Sequence, residues 1–266
     1  MTLAEAWTTA RQWVPFVART VGYGLVSCLF GPLTREHGAS LWAMRRWCVS
    51  SVRGLRIRVE FSGEENVPAG KAFVYCSNHQ SMIDILVLGS VLPGDYKWAA
   101  KRSLMSIPFL GWHLRLSGHV PVDRGAGVRA AQEAIERFIA VLRRGKPLLI
   151  FPEGTRTIDG ELRDFKLGAF RAAVRAGVPV VPVALDGTFR IMGKGDVHAD
   201  DGLDVVRVRI GAPIAVPSAG HEEVRVPALR EQTRAAISDL FESVRRSSSG
   251  RRAERMEGER YVPPMR

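Results

Sequence analysis

The chain has 266 residues, 46% of them hydrophobic and 24% charged, and a formal net charge of +11. That is the composition of a folded globular chain; collagen-like, mucin-like and wholly disordered classes are excluded. Cys28, Cys48 and Cys76 are the only cysteines and lie far apart. They exclude a disulfide scaffold and fit no C-x-x-C zinc pattern, so a reducing compartment is the simplest setting and no metal is expected.

The charge collects at the ends. Residues 1–59 hold eight Arg and two Glu, and residues 244–266 hold seven Arg and three Glu. The body, 60–243, is close to neutral, which argues against a folded nucleic-acid-binding face. From Gln12 to Thr34 the chain is mostly apolar, but Arg19, Pro15 and the glycines Gly22 and Gly24 interrupt it. The uncharged run after Arg19 is shorter than the about 20 residues a spanning helix needs. Glu5 and the lack of a small-residue cleavage site speak against a signal peptide. Ala39–Val52 mixes Trp42 and Trp47 with Arg45 and Arg46. Trp beside Arg suits a helix at a lipid headgroup boundary, so 1–59 is read as a basic, apolar, helical membrane-associating segment. The competing reading packs these helices on the body with Trp as core.

Within the body, Lys71–Cys76 reads as a buried strand, with Ser77–Asn78 as a helix cap and Met82–Leu92 as a helix. Tyr96–Ala100 is a strand, Ser103–Leu116 a helix broken at Pro108, and Val120–Val122 short and extended. Gly127–Arg144 has apolar residues at helical spacing and stops at Gly145. Pro147–Phe151 is a strand and Gly168–Ala176 a helix. Val178–Leu185 is a strand whose two prolines point to an edge or bulged rim. Val205–Ile210 alternates as a strand, and Ala228–Arg245 closes the body as a helix. The tail, 244–266, lacks an apolar face and is expected to be disordered. Strands alternating with helices give an α/β fold, a mixed β-sheet flanked by helices and preceded by the N-terminal helical segment.

Three polar turns follow strands or apolar segments. In Asn78-His79-Gln80-Ser81-Met82-Ile83-Asp84 a spacing of five does not put His79 and Asp84 on one helix face. It works if His79 lies in the strand-to-helix turn and Asp84 in the first helical turns, where Asp84 can fix the imidazole tautomer. In Phe151-Pro152-Glu153-Gly154-Thr155-Arg156 a carboxylate, a Gly, a hydroxyl and a guanidinium follow a strand end and can meet an anion. The plainer alternative is an internal Glu153–Arg156 pair. In Gly118-His119-Val120-Pro121-Val122-Asp123-Arg124, Arg124 beside Asp123 reads on its own as a surface ion pair. No G-x-S-x-G elbow supports a hydrolase using Ser81 or Cys76.

In this order the segments resemble the glycerolipid acyltransferase family, and within it the 1-acyl-sn-glycerol-3-phosphate acyltransferases. Asn78, His79 and Asp84 match its N-H-x-x-x-x-D block. Gly118, Val120 and Arg124 match G-x-[IV]-x-x-x-R, Phe151–Arg156 match F-P-E-G-T-R without change, and Val178–Val183 match the apolar V-P-[IV]-x-P-V block. Trp98–Lys101 and Phe165–Ala169 match more softly. The resemblance covers about residues 72–215 and makes 60–243 a catalytic domain. It implies acyl transfer from an acyl thioester, acyl-CoA or acyl-carrier protein, with no further cofactor, to the sn-2 hydroxyl of 1-acyl-glycerol-3-phosphate. Another lysolipid, such as a lyso-ornithine lipid or lysophosphatidylglycerol, is the alternative acceptor. It implies His79 as general base oriented by Asp84, and Lys101, Arg124 and Arg156 as phosphate-binding cations. It also implies that Glu153, Gly154 and Thr155 shape the acceptor site. The basic, Trp-containing residues 1–59 are expected to hold the domain on the cytoplasmic membrane, facing the cytoplasm.

Overall fold

The structure, a computed structural model, describes residues 3–34, 38–123, 125, 127–199 and 205–254. Its strands in chain order are β1 (Arg58–Ser62), β2 (Val74–Ser77), β3 (Lys97–Lys101), β4 (Val120–Val122), β5 (Leu148–Ile150), β6 (Val180–Asp186) and β7 (Val205–Ile210). They form one sheet in the spatial order β1-β7-β6-β2-β5-β3-β4. Every neighbouring pair is parallel except β6 with β7, so the sheet is mixed. The helices are α1 (Leu3–Phe30), α2 (Gly38–Gly54), α3 (Asp84–Val91), α4 (Leu110–Leu116), α5 (Gly127–Arg143), α6 (Gly168–Ala176), the short α7 (Thr188–Ile191) and α8 (Glu222–Glu254).

The central strands are buried on both faces. Successive side chains of a strand point to opposite sides. Tyr75 therefore enters one core with Trp47, Leu86 and Leu88, while Val74 and Cys76 enter the other with Phe138, Phe170 and Leu229. Double burial explains why these strands read as unbroken apolar runs rather than alternations. The parallel strands β6, β2, β5, β3 and β4 end at one edge of the sheet, and the turns leaving that edge carry the polar motifs.

Several expectations meet a different arrangement. The strand β1 has no counterpart in the sequence reading. Its Arg-Val-Glu-Phe-Ser lacks an apolar run because it sits at the sheet edge, where Glu60 pairs with Arg207 of β7 at 2.8 Å. The strand β6 is not an edge; it lies third of seven. Pro182 is tolerated there because the ladder to β7 begins only at Val183, and the Pro182 carbonyl accepts the Gly211 N–H at 2.9 Å. The segment Ser103–Leu116 divides into a 3-10 turn, Arg102–Ser106, and α4. Helix α8 begins at Glu222 and continues to Glu254, into the segment expected to be disordered. Arg, Ala and Glu are good helix formers, and extending a packed helix avoids the cost of nucleation. Residues 255–266 lie outside the described residues.

Helix α1 is continuous through Pro15 and both glycines. At 28 residues it is about 42 Å long. By length and composition its Thr9–Leu33 stretch can cross a membrane, contrary to the reading of it as too short and broken. Yet it is fastened to the body along its length. Gln12 exchanges two hydrogen bonds with the Ala199 backbone (2.7 and 2.9 Å), and Trp13 Nε1 donates to the Val197 carbonyl at 2.7 Å. Thr20 Oγ1 accepts from Trp47 Nε1 at 3.0 Å, and Ser27 bonds both Ser40 (2.9 Å) and His113 (2.7 Å). The two tryptophans of α2 divide between the two readings: Trp47 is core, while Trp42 is exposed with Arg46 over its ring at 5.7 Å.

Candidate active site

The turn from β2 into α3 holds the most heavily bonded polar group among the described residues, the Asp84 carboxylate. It is fully buried. Oδ2 accepts His79 Nδ1 at 2.8 Å, the Gln80 N–H at 2.7 Å and the Ser81 N–H at 2.9 Å, and Oδ1 accepts the Thr188 hydroxyl. Asp84 is the first residue of α3 and its side chain folds back over the preceding turn. This is how a spacing of five brings imidazole and carboxylate together. Hydrogen bonds to a charged group contribute about 1.5–3 kcal/mol each, and burying the carboxylate without them would cost more. With Asp84 on Nδ1, the imidazole presents Nε2 as the nitrogen left for chemistry. The His79 ring also stacks on Phe151, with centroids 3.9 Å apart and planes 12° apart.

The turn is pinned from both sides. Asn78 exchanges two hydrogen bonds with the Leu185 backbone of β6, at 2.8 and 2.9 Å. Ser77–Asn78 is therefore not a helix cap: Ser77 ends β2 and Asn78 ties that strand to its neighbour. The hydroxyl nearest the start of α3 is Ser81 Oγ, which accepts the Ile83 N–H at 3.2 Å and donates to the Met192 carbonyl at 2.6 Å.

From the other side comes the turn after β5. Glu153 Oε1 accepts the His79 N–H at 2.8 Å, the Thr157 N–H reaches the His79 carbonyl at 2.9 Å, and Gln80 Nε2 donates to the Gly160 carbonyl at 3.0 Å. Glu153 is buried and does not pair with Arg156, so the simple salt-bridged turn is not what forms. Burial pushes its carboxyl up to about 7, against the opposing pull of the His79 and Arg163 backbone N–H groups. Gly154 has φ +73°, a left-handed backbone that glycine adopts freely. A Cβ there would fall 2.9 Å from the Lys166 stem. Thr155 is half-buried and accepts Lys194 Nζ at 3.4 Å.

The remaining expected residues spread along the same sheet edge. Arg156 is half-buried and its side chain makes no hydrogen bond or ion pair among the described residues. Lys101, exposed, ends β3 and lies in register with Val122 of β4. That places it beside Val122, next to which Asp123 pairs with Arg102. Arg124 lies outside the described residues. Sequence reasoning missed Thr188, which reaches Asp84 from 104 positions away, and Lys166, whose ammonium sits over Gly154. Asn78, read as part of a helix cap, instead ties β2 to β6. Among the described residues no group of three or more His, Cys, Asp or Glu is placed to hold a metal ion.

Residues 58–186 match the family model described as Acyltransferase. A chloroplast 1-acyl-sn-glycerol-3-phosphate acyltransferase of Brassica napus is 40% identical over 162 residues, 59% of this chain and 45% of that protein. The chain thus spans about half the length of such chloroplast relatives. The 1-acyl-sn-glycerol-3-phosphate acyltransferase of Escherichia coli is 30% identical over 203 residues, 76% of this chain and 80% of that protein. The crystal structure of the 1-acyl-sn-glycerophosphate acyltransferase from Thermotoga maritima superposes with a TM-score of 0.73 at 28% identity, covering 88% of this chain and 95% of that one. Motif order, the buried dyad at the sheet edge and these likenesses agree: the chain belongs to the 1-acyl-sn-glycerol-3-phosphate acyltransferase family.

Proposed function

We propose that the protein transfers an acyl chain from an acyl thioester to the sn-2 hydroxyl of 1-acyl-glycerol-3-phosphate, making phosphatidic acid. The observation that carries this is the His79–Asp84 pair, buried at the C-terminal edge of the sheet, with Arg156 and Lys101 after neighbouring strands and without a hydrogen bond or ion pair among the described residues. His79 Nε2 takes the proton of the acceptor hydroxyl as its oxygen attacks the thioester carbonyl. Asp84 holds the tautomer and stabilises the imidazolium that forms. The tetrahedral intermediate collapses with loss of the carrier thiolate, which takes back a proton. Lys101, Arg124 and Arg156 bind the acceptor phosphate, for which the guanidinium fork is well shaped.

Transfer is direct rather than through an acyl-enzyme. Cys76 is fully buried and burial pushes its thiol up, so it stays protonated. The Ser81 hydroxyl is committed to Met192 and Ile83.

The N-terminal helices hold the enzyme on a membrane. Trp7, Val14, Val17, Leu25 and Leu29 are exposed and recur at helical spacing along one stripe of α1. The opposite side of α1 is bonded to the body, which supports a helix lying in the membrane surface rather than crossing it. Anionic lipid attracts each nearby Arg by about 1 kcal/mol, favouring the cytoplasmic leaflet.

The test is purified full-length protein with a panel of lysolipids, each offered with acyl-CoA and with acyl-carrier protein, read by mass spectrometry. Phosphatidic acid should dominate. Preferential acylation of lyso-ornithine lipid or lysophosphatidylglycerol would replace the acceptor, and no acyl transfer to any lysolipid would overturn the reading.

A further inference from the structure

A cavity of 480 Å³ lies between the N-terminal helices and the body. Met82, Ile83 and Leu86 from the start of α3 form one wall, Trp13 and Phe16 of α1 another, and Met192 and the 197–199 segment a third. Arg19, Arg53 and Arg56 also line it, as does Ser51. None of these three guanidiniums has a carboxylate partner among the described residues. Ser51 is 1% exposed and its hydroxyl has no hydrogen-bond partner. Three cations and an unsatisfied buried hydroxyl over an apolar wall form a receptor for a phosphate on a long, partly apolar stem.

Its place in the sheet decides which substrate that is. From β2, which delivers His79, the strands β5, β3 and β4 lie on one side and β6, β7 and β1 on the other. Arg156 follows β5 and Lys101 ends β3, so the cations proposed for the acceptor lie on the first side. Met192 and residues 197–199 follow β6, and Arg53 and Arg56 lead into β1, so the cavity lies on the second. The reaction joins two substrates that each carry phosphate, and the fold offers cations on both sides of the dyad.

We propose that the Arg19–Arg53–Arg56 cavity binds the acyl donor by the phosphate of its pantetheine arm, the element that acyl-CoA and acyl-carrier protein share. The apolar wall of Trp13, Phe16 and Met192 receives the stem, and the thioester is brought to His79 past Met82 and Ile83. This rests on the acyl-transfer reading. It also gives α1 a role beyond the membrane. Arg19 is carried by α1, and its guanidinium lies 2.6 Å from where a Cβ on Gly54 would stand. Gly54 leaves the space that the Arg19 guanidinium occupies.

The test uses the full chain in detergent micelles with three acyl donors: acyl-CoA, S-acyl-4′-phosphopantetheine and S-acyl-pantetheine, which has no phosphate. The Arg53→Gln/Arg56→Gln variant should raise KM about tenfold for both phosphorylated donors, much less for S-acyl-pantetheine, and not for the acceptor. Gly54→Ala keeps every cation but displaces Arg19, and should raise the donor KM in the same selective way. Calorimetry of CoA binding to wild type and the double variant reads the site without turnover, and thermal unfolding shows that the variant is folded. Equal penalties with all three donors, a rise in acceptor KM alone, or unchanged CoA affinity would overturn the proposal. So would loss of binding to anionic vesicles with donor kinetics intact, which would assign the cations to a lipid headgroup. Wild type that binds CoA through these arginines yet acylates no lysolipid would instead overturn the acyl-transfer reading.

Discussion

The two halves of the candidate site are built in opposite ways. Around His79 nearly every polar atom is committed: Asp84 accepts from four donors, Asn78 makes a pair of hydrogen bonds to β6, and Glu153 accepts from the His79 backbone N–H. Along β5 and β3 the opposite holds, since Arg156 and Lys101 are partly or fully exposed and make no ion pair among the described residues. A group that must act on a proton gains from being fixed before substrate arrives. A group that must bind a phosphate gains from having no competing anion. Under the proposed function, the contrast would separate the chemistry, assigned to a preorganised turn, from recognition, assigned to cations whose partner comes with the substrate.

This contrast yields a ranked set of expectations. Asp84→Asn strikes the committed half and should lower kcat by about 10²-fold or more, because the wrong imidazole tautomer is favoured. Steady-state rates at saturating acceptor check it, and a kcat within about threefold of wild type would remove Asp84 from the mechanism. Arg156→Lys strikes the recognition half. It keeps the charge, loses the fork, and should raise the acceptor KM about tenfold while leaving the melting temperature unchanged. A lower melting temperature with unchanged kinetics would make Arg156 structural.

Glu153 joins the halves, and its effect is smaller and pH-dependent. Its carboxyl is raised by burial from 4.5 to about 7. In the unfolded chain it ionises first, so the folded state loses stability as pH rises from about 4.5 to about 7 and no further above that. The melting temperature of wild type relative to Glu153→Gln should therefore fall by several degrees across that window. A difference that is flat in pH, or that grows with pH, would contradict the burial argument. Smallest of all, Cys76→Ala should keep most of its activity, as direct transfer requires, despite a modest loss of stability from the buried cavity. Loss of activity with retained fold, or an acylated peptide containing residues 76–81, would favour an acyl-enzyme.

Much of the site was legible because its residues are close in sequence. The His79–Asp84 pair and the run Phe151–Arg156 each sit in one turn after a buried strand, and apolar continuity marked those strands. What could not be read was what joins the turns. Thr188 meets Asp84 across 104 residues and leaves no local periodicity. Glu153 offers a local partner in Arg156, and only the docking of the β5 turn against His79 sends it elsewhere. The strand β1 was hidden because an edge strand with a charged pair needs no apolar run. The central position of β6 was hidden because β7, whose ladder with β6 begins only past Pro182, belongs to another segment. The apolar, basic character of the N-terminal segment was legible as composition, but the attachment of α1 to the body rests on Gln12, Trp13 and Ser27, whose partners lie far along the chain or in the next helix.

The most direct measurement is phosphatidic acid formation by purified full-length protein and its His79→Ala variant. Both would be given 1-acyl-glycerol-3-phosphate and an acyl thioester, with thermal unfolding recorded in parallel. The account predicts acylation of the lysolipid by wild type, a rate lower by at least about 10²-fold in the variant, and closely similar melting temperatures. Equal rates in the two proteins, or no acylated product from wild type, would contradict it.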